Sequence, residues 1–395
     1  MSSKPRFVGK RVKLGDVCTI VSGATPKTKT NEYWGGEIRW VTPAELDGDS
    51  HYISDTEKHL TEAGYKSASL RMMPKGTVLL TTRAPIGKVA IAAEEMSCNQ
   101  GFKNLVCSSA INNEFLYLYL KSRTAELQAM GRGATFKELS KKNVAGFEIN
   151  LPAIDRQLDA VAKLTAVRSQ IALAKQQHDQ LDSLVKSRFV EMFEESDRYN
   201  GSVYRLADIG EIASGITKGR KARDKELFET PYLSTANVQA GRLDLSVIKT
   251  IDATMPEIEK FRLAEGDVLM TEGGDPDKVG RGAVAHNLPK NCIHQNHVFR
   301  VRLNRVILYP EYFEMFLQSP GCREYFFRAS KQTTGIATIN KTQLRNMQVL
   351  VPPIKAQEEF LAFASQVDKS RFIAQQQIEK LQMLYDSLAQ DYFGD

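Results

Sequence analysis

The chain has 395 residues, of which 42% are hydrophobic and 25% are charged, as in an ordinary globular protein of two or three domains. Its 53 basic and 47 acidic residues give a net charge of +6, a mild excess that is compatible with nucleic-acid binding but does not require it. The 5 cysteines include no C-x-x-C pair, which argues against a disulfide framework or a zinc ribbon and favours a reducing cytoplasm. We expect no secretory signal and no membrane-spanning segment, because no apolar run is long enough.

The chain contains a long internal repeat. The stretch VKLGDVCTIVSGAT at Val12 returns as YRLADIGEIASGIT at Tyr204. Four further motifs of the first half recur in the same order in the second half: WVTPAEL as YLSTANV, KGTVLLT as EGDVLMT, GKVAIA as GRGAVA, and NQGF as HQNH. The match of NQGF with HQNH aligns Asn99 with His294. The last match starts with LPAIDRQ and VPPIKAQ and continues without a gap to the end of each half. A repeat of this length indicates a duplicated domain rather than a solenoid.

Each half begins with a module that we predict to be mixed α/β. Short strands such as GTVLLTT and GDVLMTE and a helix near NEFLYLYLKS or PEYFEMFLQS support this interpretation. Basic turns rich in Gly and Thr recur at matched places, and such turns suit phosphate contacts and hydrogen bonds to base edges, although any single residue could be an ordinary solvated charge. The candidate DNA contacts are Lys27, Lys29, Arg83, Lys88, Asn99, Gln100, Arg132, Lys137, Lys141, Lys218, Arg220, Lys221, Arg223, Lys278, Arg281, His294, Asn296, Lys331, Thr338, Asn340 and Lys341.

Each half ends with a segment that we predict to be one long helix. Residues 155–193 and 355–393 contain neither Pro nor Gly, and apolar residues alternate at spacings of 3 and 4, which is a heptad seam. The seam residues are Leu164, Val167, Ile171, Leu181, Val367, Ile378, Leu381 and Leu388. The two stripes would bury each other, and an antiparallel pairing would relate the two modules by an approximate twofold axis, as in DNA-binding dimers.

Two features of the long helices depart from the regular seam: two polar residues within it, and a group of large apolar residues at the helix ends. His178 and Arg371 interrupt the seam, either at its edge with their polar ends in water or as residues that fix the register. The large apolar residues at the helix ends are expected to form a patch that awaits a partner. They are Phe189, Met192, Phe193, Tyr392 and Phe393.

Catalytic signatures are missing from the sequence. We find no P-loop, no amino-methyltransferase loop and no nuclease motif, and therefore predict no catalytic residue and no cofactor bound by this chain. His294 and His297, with His286 and Cys292 nearby, suggest a metal site. However, we interpret His294 and His297 as residues i and i+3 of one strand, which point to opposite faces, so no metal site is predicted. His294 and Asn296 are interpreted instead as facing DNA.

The chain resembles the specificity (S) subunits of type I restriction–modification systems, the HsdS family. The resemblance rests on the duplicated LPAIDRQ and VPPIKAQ before the heptad helices and on LGDVCTIVSGATP, LADIGEIASGIT, WVTPAELDG, YLSTANVQAG, TTRAPIGKVAI and NQGFKNL, and it spans the whole chain. It implies an α+β fold in which two similar mixed α/β target recognition domains are joined by two long helices packed as an antiparallel coiled coil, a pseudo-twofold internal repeat. The implied boundaries are residues 1–152 and 200–352 for the recognition domains and 153–199 and 353–395 for the helical spacers.

The resemblance also implies a function. Such a subunit is non-catalytic, reads a bipartite asymmetric site in double-stranded DNA with one domain per half, and sets the spacer length with its helices. The implied partners are two methyltransferase (M) subunits and, in systems that also cut DNA, two restriction (R) subunits, which carry S-adenosylmethionine, ATP and Mg. Two alternatives stay open: a coiled-coil scaffold that binds only protein, and a duplicated DNA enzyme with an unrecognised site.

Overall fold

The computed structural model describes residues 9–48, 50–131, 137–195, 201–219, 226–275, 278–333 and 336–394. The chain divides into two compact units. Unit 1 consists of Met1–Lys175 with Gln376–Asp395, and unit 2 is Gln176–Gln375. Each unit therefore contains one α/β module together with a part of each long helix.

Unit 1 contains three sheets within its described residues. A five-stranded sheet has the order β2-β9-β6-β7-β4, a three-stranded sheet has the order β5-β3-β8, and β1 pairs with β10. The strands are β1 Lys10–Lys13, β2 Cys18–Ser22, β3 Trp34–Val41, β4 Tyr52–Ile53, β5 His59–Leu60, β6 Val78–Leu80, β7 Val89–Ala92, β8 Ser97–Cys98, β9 Lys103–Cys107 and β10 Glu148–Leu151. The helices are α1 Leu14–Val17, α2 Glu62–Ser67, α3 Asn113–Ser122, α4 Thr124–Met130, α5 Lys141–Ala145 and the long α6 Ile154–Phe193.

Unit 2 has the same principal sheets, together with two small additional ones. Within its described residues the orders are β12-β21-β17-β19, β16-β13-β20, β18-β23-β22, β14-β15 and β11-β24. The strands are β11 Ser202–Arg205, β12 Gly210–Ser214, β13 Phe228–Leu233, β14 Val238–Gln239, β15 Arg242–Leu243, β16 Lys249–Ala253, β17 Val268–Thr271, β18 Gly273–Gly274, β19 Gly282–Val284, β20 Ile293–His294, β21 Val298–Leu303, β22 Lys331–Thr333, β23 Ile336–Thr338 and β24 Gln348–Val351. The helices are α7 Leu206–Ile209, α8 Met255–Phe261, α9 Pro310–Gln318, α10 Pro320–Ala329, α11 Lys341–Arg345 and the long α12 Ile354–Phe393.

The repeated Ser-Gly pair marks a close backbone approach in both units. A Cβ atom on Gly23 would lie 1.9 Å from the carbonyl oxygen of Asn99, and one on Gly215 would lie 1.9 Å from that of His294. Only glycine fits at such a position. The Ser-Gly pair therefore recurs because the segment after β2, like the one after β12, passes against a neighbouring strand end.

The structure corrects the alignment of NQGF with HQNH by one residue. Ala24 donates its backbone N–H to the carbonyl of Cys98 (3.1 Å), and the equivalent Ile216 donates to the carbonyl of His294 (2.8 Å). In the parallel pairs β3–β8 and β13–β20, Cys98 and His294 are again equivalent. His294 thus corresponds to Cys98 rather than to Asn99. Because strand side chains alternate between faces, a slip of one residue exchanges the inside for the outside.

A buried glutamine near the start of each long helix connects that helix to its module by hydrogen bonds. Gln157 Oε1 accepts from the backbone N–H of Asn112 (2.8 Å), and its Nε2 donates to the carbonyls of Ala110 (3.1 Å) and Pro152 (2.9 Å). Gln357 makes the same three bonds, with Tyr309 (2.9 Å), Ile307 (3.0 Å) and Pro352 (2.9 Å). Both side chains are 0% exposed. The repeated Pro-x-Ile-x-x-Gln motif is therefore the junction between helix and module.

Within each unit the two helical segments run antiparallel. In unit 1, Tyr392 near the end of α12 accepts a hydrogen bond from Lys163 near the start of α6 (3.1 Å). In unit 2, Arg371 Nε lies 2.7 Å from Asp182 Oδ1, so Arg371 forms an ion pair across the helices. The seam residues Leu164, Val167, Ile171 and Val367 are buried, and Leu181, Ile378, Leu381 and Leu388 are half-buried.

The prediction of an exposed apolar patch at the helix ends is wrong. Phe189, Met192, Phe193, Tyr392 and Phe393 are at most 7% exposed. The rings of Phe189 and Phe193 pack against Tyr312 and Phe360 in unit 2, and the ring of Phe393 packs against Phe115 and Tyr119 in unit 1. Phe189, Met192 and Phe193 belong to a hydrophobic core of unit 2, and Tyr392 and Phe393 belong to one of unit 1. None of the helices in the described part of the chain has the length and hydropathy of a bilayer-spanning segment.

Candidate nucleic-acid interface

Three segments of unit 1 meet at one edge, which we call the unit-1 edge (residues 82–83, 99–101 and 137–139). Thr82 donates its backbone N–H (2.7 Å) and its hydroxyl (3.1 Å) to the carbonyl of Gly101. The carbonyl of Thr82 accepts from the backbone N–H of Leu139 (2.9 Å). These bonds bring together the turns after β6, after β8 and before α5. The predicted contacts Arg83, Asn99, Gln100 and Lys137 lie within these segments.

The side chains of the unit-1 edge form an ion-pair network. Arg83 Nε lies 3.1 Å from Glu138 Oε2, and Lys103 Nζ lies 3.7 Å from Glu138 Oε1. Arg83 and Glu138 are both accessible, with 47% and 37% of their side chains exposed, whereas Lys103 is 9% exposed. Asn99 Oδ1 accepts from the backbone N–H of Gly101 (2.8 Å). Consequently Arg83 and Gln100 are available to a ligand, while Asn99 also supports its own turn.

Unit 2 builds the same edge from different side chains. Glu272 donates its N–H to the carbonyl of His297 (3.0 Å), and its own carbonyl accepts from Ile339 (2.9 Å). We call residues 272–273, 295–297 and 338–339 the unit-2 edge. His297 Nδ1 lies 2.6 Å from Glu272 Oε2, and Asn296 Nδ2 lies 3.4 Å from His297 Nε2. Thr338, opposite Gly273 in the β18–β23 ladder, is exposed.

Several other predicted contacts are exposed on nearby turns. Thr25 is hydrogen-bonded to Gln100 on the unit-1 edge, and the exposed Lys27 and Lys29 follow it in the segment after β2. Lys218 is exposed in the equivalent segment after β12, with Nζ 5.7 Å from the ring centroid of Tyr232. These lysines have the exposure that phosphate contacts require.

Two predicted contacts lie at the first turn of a short helix. Lys141 and Lys341 are exposed at the starts of α5 and α11, and Asn340 caps α11 by accepting from the N–H of Gln343 (2.9 Å). Asn340 therefore has a structural role in addition to its exposure.

Three predicted contacts have partners inside the protein. Lys88 donates to the carbonyl of Leu46, and Arg281 Nη1 donates to Gln239 Oε1 (3.0 Å). Lys278 forms an ion pair with Asp275 and holds the pKa of that carboxyl below its usual value. Each of the three side chains is half-buried.

Some predictions fall outside what the structure describes. Arg132, Arg220, Lys221 and Arg223 lie outside the described residues, and so does the side chain of Lys331. No group of three or more His, Cys, Asp or Glu side chains that could hold a metal ion occurs among the residues that are described. The interpretation of His294 and His297 as residues of one strand is wrong, because His294 ends β20 and His297 lies in the turn before β21.

The interpretation of His294 as a DNA-facing residue is wrong. Its side chain is 0% exposed, and Nδ1 bonds to the carbonyl of Val298 (2.7 Å). Burial lowers the pKa of His294 to about 4, so the ring is neutral near pH 7. Its equivalent in unit 1, Cys98, is also buried (1% exposed). Both residues belong to the protein interior.

Three residues of the two edges were missed by sequence reasoning. Glu138 and Glu272 are acidic and so are not among the basic loop residues, and His297 was considered only as a metal ligand. The two units differ at these positions. Thr338 occupies the place of Glu138, and Gly101 occupies the place of His297. Glu138 reaches Arg83 through a β-bridge, and Glu272 reaches His297 because the two segments pair through their main chains. No signal in the sequence marks them as part of an edge.

Comparison with known proteins gives a consistent result. A family model described as a type I restriction modification DNA specificity domain matches residues 10–183 and matches a second time at residues 200–383. The MjaIX type I restriction enzyme specificity subunit of Methanocaldococcus jannaschii is 27% identical over 406 residues, which is 95% of this chain and 90% of that protein. The EcoKI specificity subunit of Escherichia coli is 23% identical over 62% of this chain and 57% of its own length.

Solved structures share the fold over the whole chain. A chain from a type I R-M system, described in a study of complex assembly and conformational transition, has a TM-score of 0.67 at 19% identity, with 100% of both chains covered. The S subunit of M. genitalium has a TM-score of 0.54 at 13% identity, with 100% of this chain and 98% of that chain covered. The tandem α/β modules and the paired helices are thus a known architecture.

Because the family model covers most of the sequence in two consecutive copies, the chain belongs to the specificity subunits of type I restriction–modification systems, with two DNA specificity domains in tandem. The predicted fold class and the predicted non-catalytic role are confirmed by this membership.

Proposed function

We propose that the two units read the two halves of one bipartite, asymmetric DNA target. The proposal rests on one contrast: the edges of the two units share the same main-chain hydrogen bonds, which we call the frame, but carry different side chains. The main-chain hydrogen bonds of Thr82 are repeated by Glu272, yet the accessible side chains are Arg83 and Glu138 in unit 1 and Glu272 and His297 in unit 2. Two similar frames with different edge chemistry would bind two different base sequences.

The proposed domain boundaries are residues 1–152 and 200–352 for the two recognition domains. The helical segments 153–199 and 353–395 would set the distance between the half-sites and offer docking surfaces to two methyltransferase subunits. Two restriction subunits would join the assembly in systems that also cut DNA. S-adenosylmethionine, ATP and Mg would be bound by these partners, and the assembly would act in the cytoplasm.

The basic candidates support sequence-independent binding to the DNA backbone. The exposed Lys27, Lys29, Lys137, Lys218 and Lys341 are suited to phosphate contacts. Such contacts make the affinity depend steeply on salt. Binding to double-stranded DNA that weakens as salt rises would separate this function from that of a scaffold that binds only protein.

The direct test uses cells that express this chain together with the methyltransferase subunit of its own type I system. Adenine methylation is mapped by single-molecule sequencing and compared with cells that express the methyltransferase alone. The proposal predicts a new methylated motif with two different half-sites and a spacer of fixed length. An active methyltransferase that produces no chain-dependent motif would exclude the proposal and favour a protein-binding scaffold.

A further inference from the structure

Each edge contains one acidic residue, and the two acidic residues occupy different positions of the shared main-chain arrangement. In unit 1 the acid is Glu138, which faces Arg83 across a β-bridge. In unit 2 it is Glu272, which faces His297. Thr338 of unit 2 occupies the position of Glu138, and Thr82 of unit 1 occupies the position of Glu272. Both threonines are uncharged. An accessible acid–base pair has therefore arisen at both edges through different residues.

A carboxylate is unfavourable on a surface that only binds phosphates, because it repels the DNA backbone. The Arg83–Glu138 ion pair is exposed and so adds little to protein stability, although Glu138 also lies 3.7 Å from the ammonium group of the buried Lys103. A carboxylate does suit the major groove, where it accepts a hydrogen bond from the amino group of cytosine. It also holds a neighbouring Arg or His side chain in one orientation, as bidentate recognition of guanine by Arg requires.

We propose that the pairs Arg83–Glu138 and Glu272–His297 are specificity-determining residues, each contacting base edges in the half-site of its own unit. This inference rests on the proposed function. The carboxylate would select one base pair directly, and its basic partner would bind the neighbouring base. The lysines of the flanking turns would supply the contacts to phosphates.

The test compares Glu138→Gln and Glu272→Gln in the full chain, each expressed with the methyltransferase, by mapping methylated sites. Glutamine keeps the shape of the side chain but adds donors and removes the charge. We expect Glu138→Gln to reduce the preference at one base pair of one half-site about tenfold and to leave the other half-site unchanged. Glu272→Gln should do the same in the opposite half-site.

Matched controls are Glu62→Gln on α2 and Glu259→Gln on α8. Glu62 is an exposed carboxylate beside Lys66 (3.5 Å), and Glu259 is an exposed carboxylate of unit 2. Both controls should keep the wild-type motif. The inference is overturned if the edge variants methylate the same sites with the same relative frequencies as the wild type. It is equally overturned if they lose methylation uniformly with an unchanged melting temperature, since the pairs would then act on general affinity. Absence of a bipartite motif with the wild-type chain would instead refute the proposed function.

Discussion

Arg302 holds the buried carboxylate of Asp267 with two hydrogen bonds, from Nε to Oδ1 (2.7 Å) and from Nη2 to Oδ2 (2.8 Å). The Asp267 side chain is 1% exposed, whereas 42% of the Arg302 side chain is exposed. The equivalent residues of unit 1 are Thr77 and Val106. Unit 2 therefore contains a buried charge that its counterpart replaces with a hydroxyl and an apolar side chain.

Removing the arginine alone should destabilise unit 2. Arg302→Val leaves the Asp267 carboxylate buried without its cation, which should lower the free energy of unfolding by about 3 kcal/mol. The double variant Asp267→Thr/Arg302→Val carries the unit-1 residues at both positions. Its free energy of unfolding should fall by less than about 1.5 kcal/mol. Hydrogen exchange of the β17 and β21 amides measures both effects. Equal losses in the single and the double variant would contradict this explanation.

The glutamine junction should contribute strongly to the stability of unit 1. Gln157→Leu removes three hydrogen bonds and leaves the N–H of Asn112 without its acceptor, so we expect a loss of about 3 kcal/mol. The control is Gln170→Leu, at an exposed position of the same helix, which should change the stability by less than about 0.5 kcal/mol. Trp34 and Trp40, the 2 tryptophans of the chain, both lie in unit 1, so unfolding monitored by tryptophan fluorescence reports on this unit. A loss no larger than in the control would show that the junction does not depend on these bonds.

His294 should make unit 2 sensitive to acid. Its pKa is lowered from 6.5 to about 4 by burial, so between these pH values the unfolded chain binds a proton that the folded protein does not. The free energy of unfolding should therefore be fully retained above pH 6.5 and should fall by about 3 kcal/mol as the pH is lowered to about 4. The variant His294→Cys, which carries the unit-1 residue, should lack this dependence. Urea unfolding between pH 7 and pH 4 tests the difference, and parallel pH profiles for the two proteins would contradict it.

The helices should determine the spacing of the two half-sites. Deleting residues 172–178 and 374–380 removes one heptad from each helix, preserves the seam, and shortens each helix by about 10 Å at 1.5 Å per residue. Since the base pairs of DNA are 3.4 Å apart, the spacer of the methylated motif should become about three base pairs shorter. Both half-site sequences should be unchanged. Methylation that keeps the original spacer would show that the helices do not set it.

The long helices and the duplication could be predicted because their signals are local. Segments without Pro and Gly and with a heptad seam predict helices over 155–193 and 355–393, and the structure has Ile154–Phe193 and Ile354–Phe393. The burial of Phe189 and Phe393 could not be predicted from the same pattern. Their partners, Tyr312 and Phe115, are distant in sequence, so only the fold decides whether these rings are exposed or buried.

The edges could be predicted only in part, because they depend on strand pairing. Composition identified Arg83 and Gln100 as accessible polar residues, but it could not identify Glu138, which reaches Arg83 through a β-bridge. The burial of His294 could not be predicted, because the alignment of NQGF with HQNH was wrong by one residue and hid its equivalence to the buried Cys98. In a strand such a shift reverses the direction of the side chain.

The central claim is that each unit reads its own half-site, and a chain with two copies of one unit tests it most directly. Residues 202–351 are replaced by residues 10–151, which exchanges the module of unit 2 between β11 and β24 for the module of unit 1. This chain is expressed with the methyltransferase, and adenine methylation is mapped by single-molecule sequencing. The account predicts a symmetric motif in which the unit-1 half-site occurs twice, in inverted orientation. A motif that retains both original half-sites would contradict it.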